Sequence, residues 1–260
     1  MDTQSSKKTL VSVIIPAFNE EETVGEVVRS VYGHPLVGEV LVVDDGSTDR
    51  TAPRAGDAGA RVIRLSENRG KAAALEAGVR QAVYDIFLFL DADISGLTRE
   101  SIHRLVAPVV SGRHELYVGL RGRKLFFLNR FLHLVPILGG ERVLTRALWE
   151  KIPHDYKKGF QIEIALNYFS KKTKGDMGFE IVHGLTHRIK EKKFGLLKGF
   201  FRRIVMTSEV FLIAARLYLL EEGRQKYAML SKSFRFRWHD SPVRELLTGE
   251  VWLDRHSRKE

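Results

Sequence analysis

Four short apolar runs, each ending in a polar cluster, organise the first hundred residues. Val11-Ser12-Val13-Ile14-Ile15 stops at Pro16 and passes through Ala17, Phe18 and Asn19 into the acidic pair Glu20-Glu21. Val24, Val27, Val28 and Val31 then recur at helical spacing, so the unit reads strand, then helix. Glu39-Val40-Leu41-Val42-Val43 is a second strand, entering Asp44-Asp45-Gly46-Ser47-Thr48-Asp49. Arg61–Leu65 is a third, running through Ser66-Glu67-Asn68-Arg69-Gly70-Lys71 into an Ala-rich helix, and Ile86–Leu90 is a fourth, closing at Asp91-Ala92-Asp93. Open parallel α/β sheets bind ligands beyond the carboxyl ends of their strands. Each run delivers its polar cluster at that end, and four such ends make one crevice.

Asp91 and Asp93 carry the most specific chemistry. Two carboxylates one residue apart in a turn can face one metal-sized space, and oxygen ligands of this kind suit Mg²⁺ or Mn²⁺. A lone D-x-D reads first as a solvated turn, where Asp is common. The three polar clusters upstream remove that preference.

Taken in order, P-A-F-N-E-E (16–21), D-D-G-S-T-D (44–49), N-R-G-K (68–71) and D-A-D (91–93) resemble the family 2 nucleotide-sugar glycosyltransferases. The resemblance covers residues 10–150 and continues more loosely to about residue 200. It implies the GT-A fold, an α/β architecture with a mostly parallel sheet flanked by helices. It also implies that Pro16, Ala17, Asn19 and Glu20 contact base and ribose, although Asn19 and Glu20 equally suit a helix N-terminus. Asp44 matches the carboxylate that accepts from the base ring nitrogen, with Asp45 beside it, while Asp49 caps the next helix. Gly70 and Lys71 form a pyrophosphate site at a helix start. The resemblance further implies that Asp93 is the direct metal ligand, with Asp91 on the metal, on a metal-bound water or on the ribose. On that resemblance the pair would hold a metal that neutralises the diphosphate and stabilises charge on the leaving nucleotide.

Further along, Gly139–Trp149 resembles the family's acceptor-side turn, a Gly-rich loop feeding a helix. Gly159-Phe160-Gln161-Ile162-Glu163 resembles the helix start that carries an acidic base. The usual Glu-Asp pair is absent there, so the base assignment stays open: Glu163 is a candidate catalytic residue or a structural residue of its helix, and Glu141 is a weaker competitor. His187, followed by Arg188, resembles the element that completes the metal site, with His183 a weaker candidate. Arg188, Gly195 and Lys198 are similar to the R…G-x-x-K segment of polyprenyl-phosphate sugar synthases, with a longer gap and Leu197 where Ser is usual.

The 260 residues form no repeat and are expected to divide into a catalytic domain, 1–195, and a basic, amphipathic helical extension, 196–260. The absence of cysteine excludes disulfides and thiolate chemistry. The first apolar run is a strand of the fold, not a secretory signal, so a cytoplasmic location is expected. Net charge is +10, and residues 171–203 hold ten Lys or Arg against three acids. Such a block implies an anionic partner or a solvated face. No nucleic-acid recognition module accompanies it, so a phosphate-bearing acceptor or an anionic membrane surface is the better match.

Leu125–Leu138 is apolar but broken by Arg130 and His133, so it reads as a core helix or as an element lying on a bilayer. Residues 196–220 are amphipathic, interrupted by Glu209 and Arg216, and the tail interleaves Phe234, Phe236 and Trp238 with Arg235 and Arg237. Both segments suit packing on the domain or a peripheral membrane contact.

The expectation is a metal-dependent glycosyltransferase using a UDP- or GDP-sugar and a phosphate-bearing, polyprenyl-phosphate acceptor at the cytoplasmic membrane face. A phosphate is largely ionised at neutral pH, its second pKa being about 6. It needs charge matching more than a strong base. The alternative is a soluble transferase acting on a small phosphorylated or carboxylated hydroxyl acceptor, with Glu163 as base. A binding module on an inactive transferase fold is disfavoured by the intact D-x-D. A nucleotidyltransferase is disfavoured by the lack of a Gly-rich loop after the first strand.

Overall fold

A computed structural model of the protein describes residues 9–121, 141–159, 161–172 and 177–187. The four expected strands are present as β1 (Val11–Ala17), β2 (Val37–Asp44), β3 (Arg61–Arg64) and β4 (Ile86–Phe89), with α1 (Val24–Val31), α2 (Thr51–Asp57) and α3 (Lys71–Gln81) between them. After β4 come the short β5 (Ile94–Ser95), α4 (Arg99–Val110), β6 (Leu116–Arg121), β7 (Glu141–Thr145), α5 (Arg146–Lys151), α6 (Gln161–Lys172), β8 (Met177–Val182) and β9 (Thr186–His187). Seven strands form one sheet in the order β3-β2-β1-β4-β7-β6-β8, and β5 pairs with β9 in a second, two-stranded one. All neighbours in the large sheet run parallel except β7, which is antiparallel to both β4 and β6.

The apolar runs are continuous because the sheet is covered on both faces. Along β1 and its neighbours, Val13, Ile15, Val42 and Leu88 face α1 and α4, meeting Val24, Val27, Val28, Val31, Ile102 and Leu105. Ile14, Leu41, Val43, Phe87 and Phe89 face the other way, against Leu75 and Val79 of α3, Leu148 and Trp149 of α5, and Ile162 and Leu166 of α6. This alternation is the period of two that a strand imposes. Each of these side chains contributes about 1.5–3 kcal/mol by leaving water. The small residues of α3 let it lie close to the sheet. A Cβ on Gly78 would collide with the Ile14 side chain and stand 3.2 Å from that of Val43.

Two boundaries depart from the sequence expectation. The helix expected from Leu97 starts at Arg99, because Thr98 and Ser101 form a reciprocal capping box, Thr98 accepting from the Ser101 N–H at 3.1 Å and Ser101 from the Thr98 N–H at 2.9 Å. More consequentially, Glu141–Thr145, expected within a Gly-rich loop, is an interior strand. Its register sets Phe89 opposite Arg142 and Val118 opposite Arg142 on the other side. The helix expected after it is present, capped by the Thr145 hydroxyl accepting from the Leu148 N–H at 3.2 Å. The readings made for Leu125–Leu138, Gly139, Gly140 and everything from Arg188 onward lie outside the described residues.

Candidate active site

The carboxyl ends of β1, β2, β3 and β4 meet in one open crevice of about 340 Å³. Pro16, Ala17, Phe18 and Glu20 come from the first end, Asp45 from the second, Asn68, Gly70 and Lys71 from the third, and Asp91, Ala92 and Asp93 from the fourth. Parallel register carries β1 and β2 to the same level, with Ala17 opposite Asp44. The strand geometry thus gathers residues spread over nearly eighty positions of sequence.

Hydrogen bonds between the turns hold the crevice walls. Asn19 adopts φ 54°, a left-handed conformation that Asn tolerates, and locks the first turn to the second. Its N–H donates to Ser47 Oγ at 2.9 Å, and its Oδ1 accepts from the Thr48 N–H at 3.0 Å. Asn19 therefore shapes the crevice and does not line it, whereas Glu20 does line it. Asp44 is fully buried beneath the turn, accepting from the Ser47 N–H at 2.9 Å, with Oδ2 3.4 Å from Arg64 Nε. Asp45 takes the wall position expected of Asp44. It grips the third turn with both oxygens, accepting from the N–H groups of Arg69 and Gly70 at 2.8 Å each. Asp49 braces the same region, its two oxygens accepting from the N–H groups of Thr51 at 2.9 Å and Glu21 at 3.2 Å.

Lys71 joins the crevice to a second cavity of about 250 Å³, largely apolar, walled by Leu75, Phe89, Ile162 and Leu166. Its ammonium lies 2.5 Å from Asp91 Oδ1 and 3.9 Å from Glu163 Oε1. Burial alone would lower the Lys71 pKa, but the carboxylates of Asp91 and Glu163 outweigh it, and the net shift is upward. Glu163 lies 3.6 Å from the guanidinium of Arg142, which in turn donates to Asn167 Oδ1 at 2.8 Å. Arg142 is 2% exposed, and desolvation draws its pKa down against the pull of Glu163, Glu141 and Asp91. A guanidinium stays charged nonetheless. The result is a chain of alternating charge, Asp91–Lys71–Glu163–Arg142, running from the crevice into the interior.

The sequence-predicted residues thus separate into groups. Pro16, Ala17, Glu20, Lys71, Asp91 and Asp93 share the crevice, and Glu163 faces the adjoining cavity. Glu141 is fully buried. The β5–β9 pairing sets the backbone of His187 opposite Ile94, the residue after Asp93. His183 stands in the exposed turn before β9, and Arg188 is outside the described residues. Arg142 and Asn167 were not anticipated. A charged residue within the buried pattern Glu141–Leu144 is the signal that would have found Arg142, once that segment is read as a strand.

Asp91 and Asp93 line the crevice with carboxylate oxygens, the donor type that a hard divalent cation takes. Among the described residues no group of three or more His, Cys, Asp or Glu stands ready as a complete cage. Two carboxylates with phosphate oxygens completing the shell is the usual arrangement for Mg²⁺ beside a nucleotide. The residues present accord with that arrangement.

Comparison with known proteins agrees with this geometry. Glucosyl-3-phosphoglycerate synthase of Mycolicibacterium smegmatis is 32% identical over 192 residues, covering 60% of this chain and 62% of its own. Dodecaprenyl-phosphate galacturonate synthase of Rhizobium johnstonii is 28% identical over 235 residues, covering 86% of this chain and 63% of its own. The chain thus spans less than two thirds of the length of these relatives. The crystal structure of glucosyl-3-phosphoglycerate synthase from Mycobacterium tuberculosis with Mn²⁺, UDP-glucose and phosphoglyceric acid superposes with a TM-score of 0.66 at 25% identity, covering 79% of each chain. The family model for glycosyl transferase family 2 matches residues 12–176, a span that includes all four strand ends and the Asp91–Arg142 charge chain. The chain belongs to glycosyl transferase family 2.

Proposed function

We propose that the protein transfers a sugar from a nucleoside-diphosphate sugar, UDP- or GDP-linked, to a phosphate-bearing acceptor, a polyprenyl phosphate at the cytoplasmic membrane surface. The observation that carries this is the pairing of an acidic crevice with a cavity whose one carboxylate, Glu163, already lies between two cations. A neutral hydroxyl acceptor must give up a proton to a base as it attacks. A phosphate dianion attacks through an oxygen that carries none. The bond from the sugar to the leaving diphosphate breaks, and the new bond forms to the acceptor phosphate oxygen. Lys71 and Arg142 would match the acceptor charge from the cavity side.

Asp91 and Asp93 would hold Mg²⁺ or Mn²⁺, with His187 as a third ligand, and the ion would screen the diphosphate and stabilise the departing nucleotide. Pro16, Ala17 and Glu20 would border base and ribose, with Asp45 and Asn19 keeping the turns in place. The membrane contact would come from the extension at 196–260, whose sequence is basic and amphipathic; no helix among the described residues is long and apolar enough to cross a bilayer.

A second reading, a small phosphorylated or carboxylated acceptor, is favoured by two observations. The cavity of about 250 Å³ matches a small molecule, and the Mycobacterium tuberculosis structure holds phosphoglyceric acid beside UDP-glucose. Transfer of labelled sugar separates the two readings. Label in the lipid extract supports the first, and label in the aqueous phase with a phosphorylated small acceptor supports the second.

The donor assignment is tested by calorimetric titration of UDP- and GDP-sugars, with and without Mn²⁺, into wild type and Asp93→Ala. Metal-dependent binding of one nucleotide is expected, lost in the variant with its circular dichroism unchanged. Metal-dependent binding retained by Asp93→Ala would overturn the metal assignment. Failure of wild type to bind either nucleotide would overturn the donor class.

A further inference from the structure

Behind the 68–71 turn, on the outer face of α3, lies a groove of about 420 Å³ that neither donor nor acceptor occupies in the reading above. Four permanent cations line it, Arg69, Arg80, Lys157 and Lys158, with Glu76 as its one carboxylate and His154 among the other lining residues. Glu76 is already engaged. Its Oε1 lies 3.4 Å from Arg80 Nε, and its Oε2 lies 3.6 Å from Lys157 Nζ and accepts from Trp149 Nε1 at 3.1 Å. Lys157 is also held 4.7 Å over the Trp149 ring, with 11% of its side chain exposed. Lys157 is therefore positioned in advance, its side-chain entropy largely spent on folding, while Arg80 is paired to Glu76 from an exposed position.

Arg69 and Lys158 have no carboxylate partner among the described residues, so the groove keeps a positive excess. The Arg69 backbone is fixed, because its N–H donates to Asp45. Ala72, Ala73 and Ala77 leave the adjoining α3 surface open to close approach. The helix begins at Lys71, and its N-cap, Gly70, has no side chain to cap the first-turn N–H groups. Guanidinium and ammonium groups beside a helix start form the donor set that recognises phosphate.

We propose that this groove is a second anion site, taking a phosphomonoester group independently of any divalent cation. It shares Gly70 with the donor crevice and Gly159 with the apolar cavity, yet no charged side chain is common to it and either of them. The phosphate comes either from a lipid headgroup at the membrane surface or from a soluble phosphate ester. In both cases it is held beside the turn that carries Lys71.

The test is calorimetric titration of inorganic phosphate, in EDTA, into the full chain and into the double variant Arg80→Gln/Lys158→Gln. Wild type should bind, and the double variant should bind at least tenfold more weakly, while its binding of UDP with Mn²⁺ stays at the wild-type value. Equal phosphate affinity in the two proteins overturns the proposal. A parallel loss of UDP–Mn²⁺ binding also overturns it, by making groove and crevice one site. Flotation with phosphatidic acid vesicles against neutral phosphatidylcholine identifies the source. Retention on acidic vesicles that the double variant loses assigns a lipid phosphate. Phosphate binding without that difference assigns a soluble ester. Because the phosphate titration contains no donor and no metal, its result stands apart from that of the nucleotide titration.

Discussion

The two sides of the Asn68–Lys71 turn carry opposite charge. Facing the crevice are Glu20, Asp45, Asp91 and Asp93 against Lys71 alone. Facing the groove are Arg69, Arg80, Lys157 and Lys158 against Glu76 alone. Three consecutive residues divide between them, Arg69 lining the groove, Lys71 the crevice, and Gly70 both. Both places are suited to phosphate, but by different physics. The net negative charge of the crevice repels a diphosphate, and a bound divalent cation would offset most of it, whereas the groove attracts an anion directly and loses that attraction as salt rises. The proposed metal requirement would therefore follow from the sign of the wall as much as from the D-x-D spacing.

The comparison is sharpened most by contrasting a buried cation with an exposed one. Arg142→Ala strands Glu163 and Asn167 in the interior and should cost about 3–5 kcal/mol. Lys158→Ala, on the groove rim, should change stability by less than about 0.5 kcal/mol. Urea denaturation of both variants checks this, and equal losses would show that the charge chain behind the crevice is no more structural than the groove.

A smaller effect is expected from moving the shared wall. Gly46 has φ +75°, and a Cβ there would stand 2.6 Å from the Glu67 carbonyl carbon. Gly46→Ala should cost about 1–3 kcal/mol and weaken both metal-dependent nucleotide binding and phosphate binding. A change confined to one ligand in calorimetry would show that the turn does not couple the two sides.

The smallest effect is a matter of pH. The folded state raises the Lys71 pKa above the ordinary lysine value of 10.5. The stabilisation is therefore complete below that value and is lost as pH rises through the folded pKa. The stability gap between wild type and Lys71→Met should stay constant from neutral pH up to 10.5 and close above it. A gap unchanged in strongly alkaline solution would remove Lys71 from its ion pairs with Asp91 and Glu163.

Legibility in the sequence followed the range of the forces involved. β1, β2 and β4 were readable because each buried strand gathers its apolar residues in one run, and their polar ends because the run must stop where water returns. β3, by contrast, is a partly exposed edge strand with arginine at both ends. β7 was not readable. Glu141 and Arg142 look like loop residues in a linear pattern, and only the pairing with β4 and β6 shows them to be interior. The same limit applied to Asp44 and Asp45. Period-two alternation sends them to different environments, and no local signal says which one meets the crevice. Asn19, read as a ligand contact or a helix N-terminus, also ties the first turn to Ser47 and Thr48, which a linear pattern does not show.

By itself the sequence determined the order of the elements, the strand-end location of the polar clusters and the family, because these rest on hydrophobic period and local turn chemistry. Tertiary structure alone decided that Lys71 lies against Asp91, that Glu163 is held between two cations, and that a basic groove backs an acidic crevice. Those outcomes depend on strands far apart in the chain arriving in register. Charge acts across space, and only the folded sheet sets the distances.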